Sequence, residues 1–196
     1  TLTGSGTSYT VVFTPTANSV AAGKVTVAKD SFTDAKGNNN AAGASIDFTV
    51  DTVVPTIAMS ANSTDLSAGE TSTLTITLSE TATDFALSDL SVTGGTLSTF
   101  TGSGTSYTVV FTPTAGSNGA GKVTVAQDSF SDAKGNKNAA GASVDFTIDT
   151  VVPTINMTAN STDLAVGDTA TITITLSEAS TNFVASDLSV MGGTLS

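Results

Sequence analysis

Apolar and polar residues alternate along this chain with a period of two. Leu74, Ile76 and Leu78 are interleaved with Thr73, Thr75 and Thr77, the pattern of a strand with one face in a core and the other carrying hydroxyls. Ile172, Ile174 and Leu176 repeat it against Thr171, Thr173 and Thr175. Tyr107, Val109 and Phe111 alternate with Thr108 and Thr112, and Val144, Phe146 and Ile148 with Asp145 and Thr147. β-Branched residues are abundant and amphipathic periods of helical length are missing. The pattern predicts an all-β protein.

The most complete stretch predicts strands near Thr56–Ser60, Ser72–Ser79 and Ser88–Val92, a short one around Leu97–Thr101, then Ser106–Thr112, Lys122–Gln127 and Ser143–Ile148. Gly94-Gly95, Gly102-Ser103-Gly104 and the glycine-rich segment 116–121 read as turns between them. Seven antiparallel strands at this spacing imply two packed sheets, an immunoglobulin-like β-sandwich. Trp and Cys are absent, so Phe111, Phe130 and Phe146 are the candidates to fill the centre.

The alternation itself repeats. Thr3-Gly4-Ser5-Gly6-Thr7-Ser8-Tyr9 returns at 101–107 and Asp51-Thr52-Val53-Val54-Pro55-Thr56-Ile57 at 149–155, so the chain holds two periods of 98 residues, with 76 of the 98 aligned pairs identical. Near-copies in tandem supply length and stacking, whereas a chemical function needs one site. Residues 51–148 form one whole repeat; 1–50 are the C-terminal half of a preceding one and 149–196 the N-terminal half of a following one. Half a sandwich exposes its inner face. The segment therefore reads as a window on a longer array, with a head-to-tail assembling subunit as the alternative.

Composition narrows the function. The lack of Cys removes disulfides and thiolate chemistry, and the lack of His removes the usual general base and commonest transition-metal ligand. Seventeen acidic against six basic residues give a net charge of −11, which disfavours nucleic acid and anionic membranes. No apolar run suits membrane insertion, and no leader pattern opens the segment. The Gly-Ser-Gly runs lack the lysine and helix of a phosphate loop. The Thr73, Thr75, Thr77 face reads as solvated, and Asn62-Ser63-Thr64 matches a glycosylation acceptor. Carboxylates and amides remain, the hard oxygen ligands that suit Ca²⁺.

An immunoglobulin topology would gather several of them at one pole. Asp51 comes from the linker, Glu80 from a strand end, Asp84 and Asp89 from the following loop, and the segment from Asp128 to Asn138 from another loop. Two carboxylates about 5 Å apart repel by roughly 3 kcal/mol at an effective dielectric near 20, so such a cluster calls for a cation. Asp132-x-x-Gly135-Asn136 has the acid, sharp turn and amide of a Ca²⁺ loop, yet Asp-Ala-Lys-Gly-Asn is equally an ordinary turn.

The order Asp51…Pro55, Ser79-Glu80, Ser88-Asp89-Leu90, Gly94-Gly95-Thr96, Tyr107-Thr108…Phe111-Thr112-Pro113 and Asp132…Gly135-Asn136 resembles the bacterial Ig-like tandem repeats of giant repetitive surface adhesins of the RTX type. The resemblance covers the whole chain. It implies Ca²⁺ at or near module junctions, with Asp51, Glu80, Asp89, Asp132 and Asn136 as ligands in the complete copy. Asp149, Glu178 and Asp187 match in the last copy, and Asp34 and Asn38 in the first. Asp84 becomes Asn182 in the repeat, which argues against a ligand role there.

The expected function is that of a non-enzymatic extender, with neighbouring Ig-like repeats as partners and no small-molecule substrate. The resemblance places it outside the cell, on a bacterial surface, in an adhesive or biofilm setting. The alternative is an extracellular filament or sheath subunit built by half-domain complementation. A glycan-binding module is disfavoured by the absence of Trp and the presence of only two Tyr, and a glycosidase would need two carboxylates in a substrate cleft.

Overall fold

The computed structural model describes residues 1–196. The first half-repeat carries β1 (Thr3–Ser5), β2 (Ser8–Thr10), β3 (Gly23–Val27) and β4 (Ala44–Phe48). The complete repeat carries β5 (Ile57–Ala61), β6 (Asp65–Ser67), β7 (Ser72–Leu78), β8 (Leu90–Thr93), β9 (Gly95–Ser103), β10 (Ser106–Pro113), β11 (Asn118–Val125) and β12 (Ala142–Asp149). The last half-repeat adds β13 (Ile155–Ala159) and β14 (Ile172–Leu176).

The central repeat is a sandwich of two four-stranded sheets, β5-β7-β10-β9 and β6-β12-β11-β8. Strand β7 alternates strictly between buried and exposed, as its sequence dictates, and β10 opposes it with Val109 facing Leu74 and Tyr107 facing Ile76. These residues join Phe111, Val123, Val125, Phe146 and Ile148 in one core. The rings of Phe111 and Phe146 stack at 4.3 Å, while Phe85 meets Phe130 and Tyr107 edge-on at 5.2 and 5.0 Å. Burial of aromatic side chains of this size dominates the energetics of a small sandwich.

Four departures from the alternation have physical causes. Strand β6 was not expected: it is three residues long, with Leu66 its one buried position, and it runs parallel to β12. Strand β9 is longer than its prediction because it completes a hairpin with β10, continued across a bulge between Thr108 and Val110. Strand β11 starts at Asn118, four residues early, through glycines that read as a turn. Gly121 is there for space: a Cβ would lie 2.7 Å from Ile148 Cδ1 and 2.9 Å from the Phe111 ring, and one on Gly95 would lie 2.6 Å from the same ring. Finally, Leu87–Asp89 is a 3-10 turn, so strand β8 begins at Leu90 instead of Ser88.

The half-repeats keep local parts of the same fold. β13 and β14 pair in the register of β5 and β7, and β3 and β4 in that of β11 and β12. Each remains a two-stranded sheet of its own. Their inward-facing residues are consequently uncovered: Phe32 is 61% exposed where its counterpart Phe130 is 1% exposed.

Candidate metal centre at the module junction

The linker between β4 and β5 is held from both sides. The Thr52 hydroxyl donates to Thr16 O at 2.7 Å and accepts from the Ser19 N–H at 3.0 Å, docking onto the preceding half-repeat. One residue earlier, Asp51 O accepts from Asn136 Nδ2 of the following repeat at 3.2 Å. Pro55 is fully buried and its carbonyl accepts from the Ala139 N–H. Thr150 repeats the first grip at the next linker, donating to Thr114 O at 2.7 Å and accepting from the Ser117 N–H.

Against this linker, the loops after β7 and β11 bring carboxylates together. Oxygens of Asp51, Glu80 and Asp132 lie within 4.8 Å of one another. Asp132 is buried at 4% exposure, in the turn that Gly135 closes at φ +84°, a left-handed conformation natural to glycine. Its Oδ1 accepts from the Lys134 and Asn136 N–H groups at 2.8 and 2.9 Å, and its Oδ2 from Asn136 Nδ2 at 2.8 Å. Burial by itself pushes the Asp132 carboxyl up, but these donors together hold it below the ordinary range.

Glu80 is the opposite case. Burial, then the charges of Asp132 and Asp51, push its carboxyl above the ordinary value. Its Oε1 is buried without any hydrogen-bond partner, and none of the three carboxylates belongs to a salt bridge. Buried polar atoms ordinarily find a partner, so an orphaned carboxylate oxygen between two further acids fits a cation. The donors are all oxygen, which suits a hard divalent ion such as Ca²⁺.

The same charges set an expected result. Without divalent ions, Glu80→Gln should stabilise the central module at pH 7, because it removes like-charge repulsion of about 1–3 kcal/mol, depending on the effective dielectric. The folded state binds the Glu80 proton more tightly than the unfolded chain, so its contribution to stability is present below its ordinary pKa and lost as pH rises through the raised one. Asp132 and Asp84 act oppositely, and their contributions vanish as pH falls through their lowered values. The advantage of Glu80→Gln should therefore shrink on mild acidification. Urea unfolding at several pH values in a chelator measures this; a gap that widens toward acid would contradict it.

The remaining sequence-derived residues fall outside the cluster. Asp89 Oδ2 accepts from the Ala86 N–H at 2.8 Å and caps the 3-10 turn; Asp187 does the same for the Val184 N–H at 3.0 Å. Asp34 and Asn38 reproduce the Asp132–Asn136 pairing at 2.9 Å on the exposed loop of the first half-repeat. There the Asn38 side chain, followed by backbone donors, lowers the Asp34 carboxyl. Asp149 and Glu178 belong to no cluster of three acidic residues. Asp84 ties two loops together, accepting from the Ser131 N–H and hydroxyl at 2.7 Å each.

One residue in the same loop went unnoticed in the sequence. Asn138 is wholly buried; its Oδ1 accepts from the Phe130 N–H, and its Nδ2 donates to Ala126 O and Ala140 O. It staples the loop that carries Asp132. Asn40 makes the corresponding bonds in the first half-repeat, and that recurrence was the available signal.

The model of the bacterial Ig-like domain matches residues 1–50, 51–148 and 149–196. The chain belongs to the bacterial Ig-like domain family. Curated proteins and solved structures contain no match to it. The central Ig-like module thus presents its linker, its β7–β8 loop and its β11–β12 loop at one end, and the carboxylates of Asp51, Glu80 and Asp132 meet there.

Proposed function

We propose that these Ig-like modules are non-enzymatic extenders of a bacterial surface or secreted adhesin, held in line by a divalent cation, Ca²⁺, at each junction. The carrying observation is the linker, whose Thr52 is bound by one module and whose Asp51 is bound by the next. A connection gripped on both sides within two residues sets the angle between neighbours, and near-identical copies then set length by number. A cation held by Asp51, Glu80 and Asp132, with Asn136 beside them, would neutralise the pole and fasten the linker acid to the following module. Neighbouring repeats are the partners, and the family's usual place is outside the cell. Adhesion and biofilm formation belong to this reading.

Extracellular calcium modules bind with a Kd of about 0.1–1 mM, and a tenfold excess over Kd adds about 1.4 kcal/mol per site. Calcium is therefore expected to raise the melting temperature of the chain and lengthen it in small-angle scattering, and a chelator to reverse both. Glu80→Gln should abolish the calcium effect on melting while raising stability in the chelator. Melting and dimensions that ignore calcium would sink the cation part of the proposal.

A further inference from the structure

Asp84 lies outside the acidic cluster, yet it makes the shortest bonds between the two loops that carry Glu80 and Asp132. Its Oδ1 accepts from the Ser131 N–H and its Oδ2 from the Ser131 hydroxyl, both at 2.7 Å. Thr83, the residue before it, donates its N–H to Ser131 O at 3.0 Å, and the Thr83 hydroxyl lies 3.3 Å from Asp132 O. Every hydrogen bond between the β7–β8 and β11–β12 loops runs through Thr83 or Asp84. The Ser131 N–H, then its hydroxyl, hold the Asp84 carboxyl below the ordinary range, so at neutral pH both oxygens accept as a charged group.

These bonds oppose the repulsion inside the cluster. Glu80 stands shortly before Asp84 in the chain, and Asp132 directly follows Ser131. Oxygens of Glu80 and Asp132 lie within 4.8 Å of each other, and like charges at that range push the two loops apart. Packing alone does not fix the register between them, because the contact of Phe85 with Phe130 rests mainly on burial, which has little direction. The Asn138 bracket orders the β11–β12 loop internally and makes no bond to the other loop. The two bonds at Asp84 are directional, and charge assistance makes such bonds roughly twice as strong as neutral ones.

We infer that Asp84 is the positioning residue of the junction site: by gripping Ser131 it holds Asp132 against Glu80, so the site stands assembled before any cation arrives. The use of that site by a cation rests on the reading above; the positioning itself does not. Groups that orient metal ligands without touching the metal typically govern affinity by about 10–100-fold. An amide in place of Asp84 can still accept from the Ser131 N–H and donate to its hydroxyl, but without the charge. A copy with an amide here, such as the one carrying Asn182, would therefore grip its loop less firmly. Junctions along an array would then differ in affinity although their ligands are the same.

A double-mutant cycle on the full chain, run in chelator, tests the positioning without a metal. Glu80→Gln should raise the melting temperature of the parent and raise that of Asp84→Ala by clearly less, because the released loop has already carried Asp132 away from Glu80. A merely structural role for Asp84 would leave the two effects additive. Asp84→Asn should restore most of the parent's response. Calorimetric titration with calcium chloride supplies the second measurement: Kd should rise about 10–100-fold in Asp84→Ala and by less in Asp84→Asn. A Glu80→Gln effect that shrinks in Asp84→Ala while the parent binds no calcium upholds the positioning and removes the cation from the site. Equal effects of Glu80→Gln in the parent and in Asp84→Ala, zero included, would overturn the inference, as would calcium binding by Asp84→Ala with the parent's affinity.

Discussion

Phe111→Ala is expected to lower the stability of the central module by about 3–5 kcal/mol, the range for deleting a buried phenylalanine. For a module of this size that amounts to a fall of roughly 15 °C or more in melting temperature. The upper part of the range is expected because the site cannot collapse. Gly95 and Gly121 flank the ring and have no side chains to move inward, and Phe146 loses its stacking partner at 4.3 Å. Differential scanning calorimetry on the full chain would measure the shift. Phe111→Leu, which refills part of the volume, should recover some of the loss. Equal melting of Phe111→Ala and the parent would refute this account of the core.

Asn138→Ala should cost about 3 kcal/mol or more. It leaves the Phe130 N–H and the carbonyls of Ala126 and Ala140 without their partner in a fully buried position, and each such orphan costs about 1–3 kcal/mol where water cannot reach it. Asn138→Asp is the sharper variant. It keeps an acceptor for Phe130 but turns a charged oxygen toward two carbonyls, so at neutral pH it should be at least as destabilising. If Asn138→Asp proves milder than Asn138→Ala in urea unfolding, the amide is not bridging those groups. Because the same loop carries Asp132, Asn138→Ala should also weaken any calcium response.

Strands β7, β10 and β12 were legible because each has a face of three or more apolar residues at alternate positions, and the core formed from those faces. Phe111, Phe130 and Phe146 were likewise readable as its centre. Strand β6 was not, since a single buried leucine has no period. The start of β11 was hidden by Gly119 and Gly121, which carry the composition of a turn; Gly121 is needed for clearance under the Phe111 ring. At the junction, topology alone was enough to suggest that Asp51, Glu80 and Asp132 approach one another. It could not separate Asp89, whose carboxylate caps the 3-10 turn instead. Asn138 was invisible because asparagine is a default loop residue, and only its partners distinguish a buried bracket from a solvated turn.

The parallel pairing of β6 with β12 has a mechanical consequence. The chain enters the central module just before β5 and leaves through β12, and Leu66 sits beside Ile148 with both strands pointing the same way. Pulling the linkers at Asp51 and Asp149 apart drags β6 and β12 past each other along their length. Their hydrogen bonds, with that from the Thr147 N–H to Thr64 O at 2.8 Å, are then loaded in shear and must fail together, whereas a hairpin peeled from its end opens one bond at a time. Stretching the chain in a force spectrometer should accordingly give one abrupt rupture for the central module. Leu66→Pro, which removes a donor from β6, should make that rupture markedly weaker; a force trace unchanged by the substitution would show that the resistance lies elsewhere.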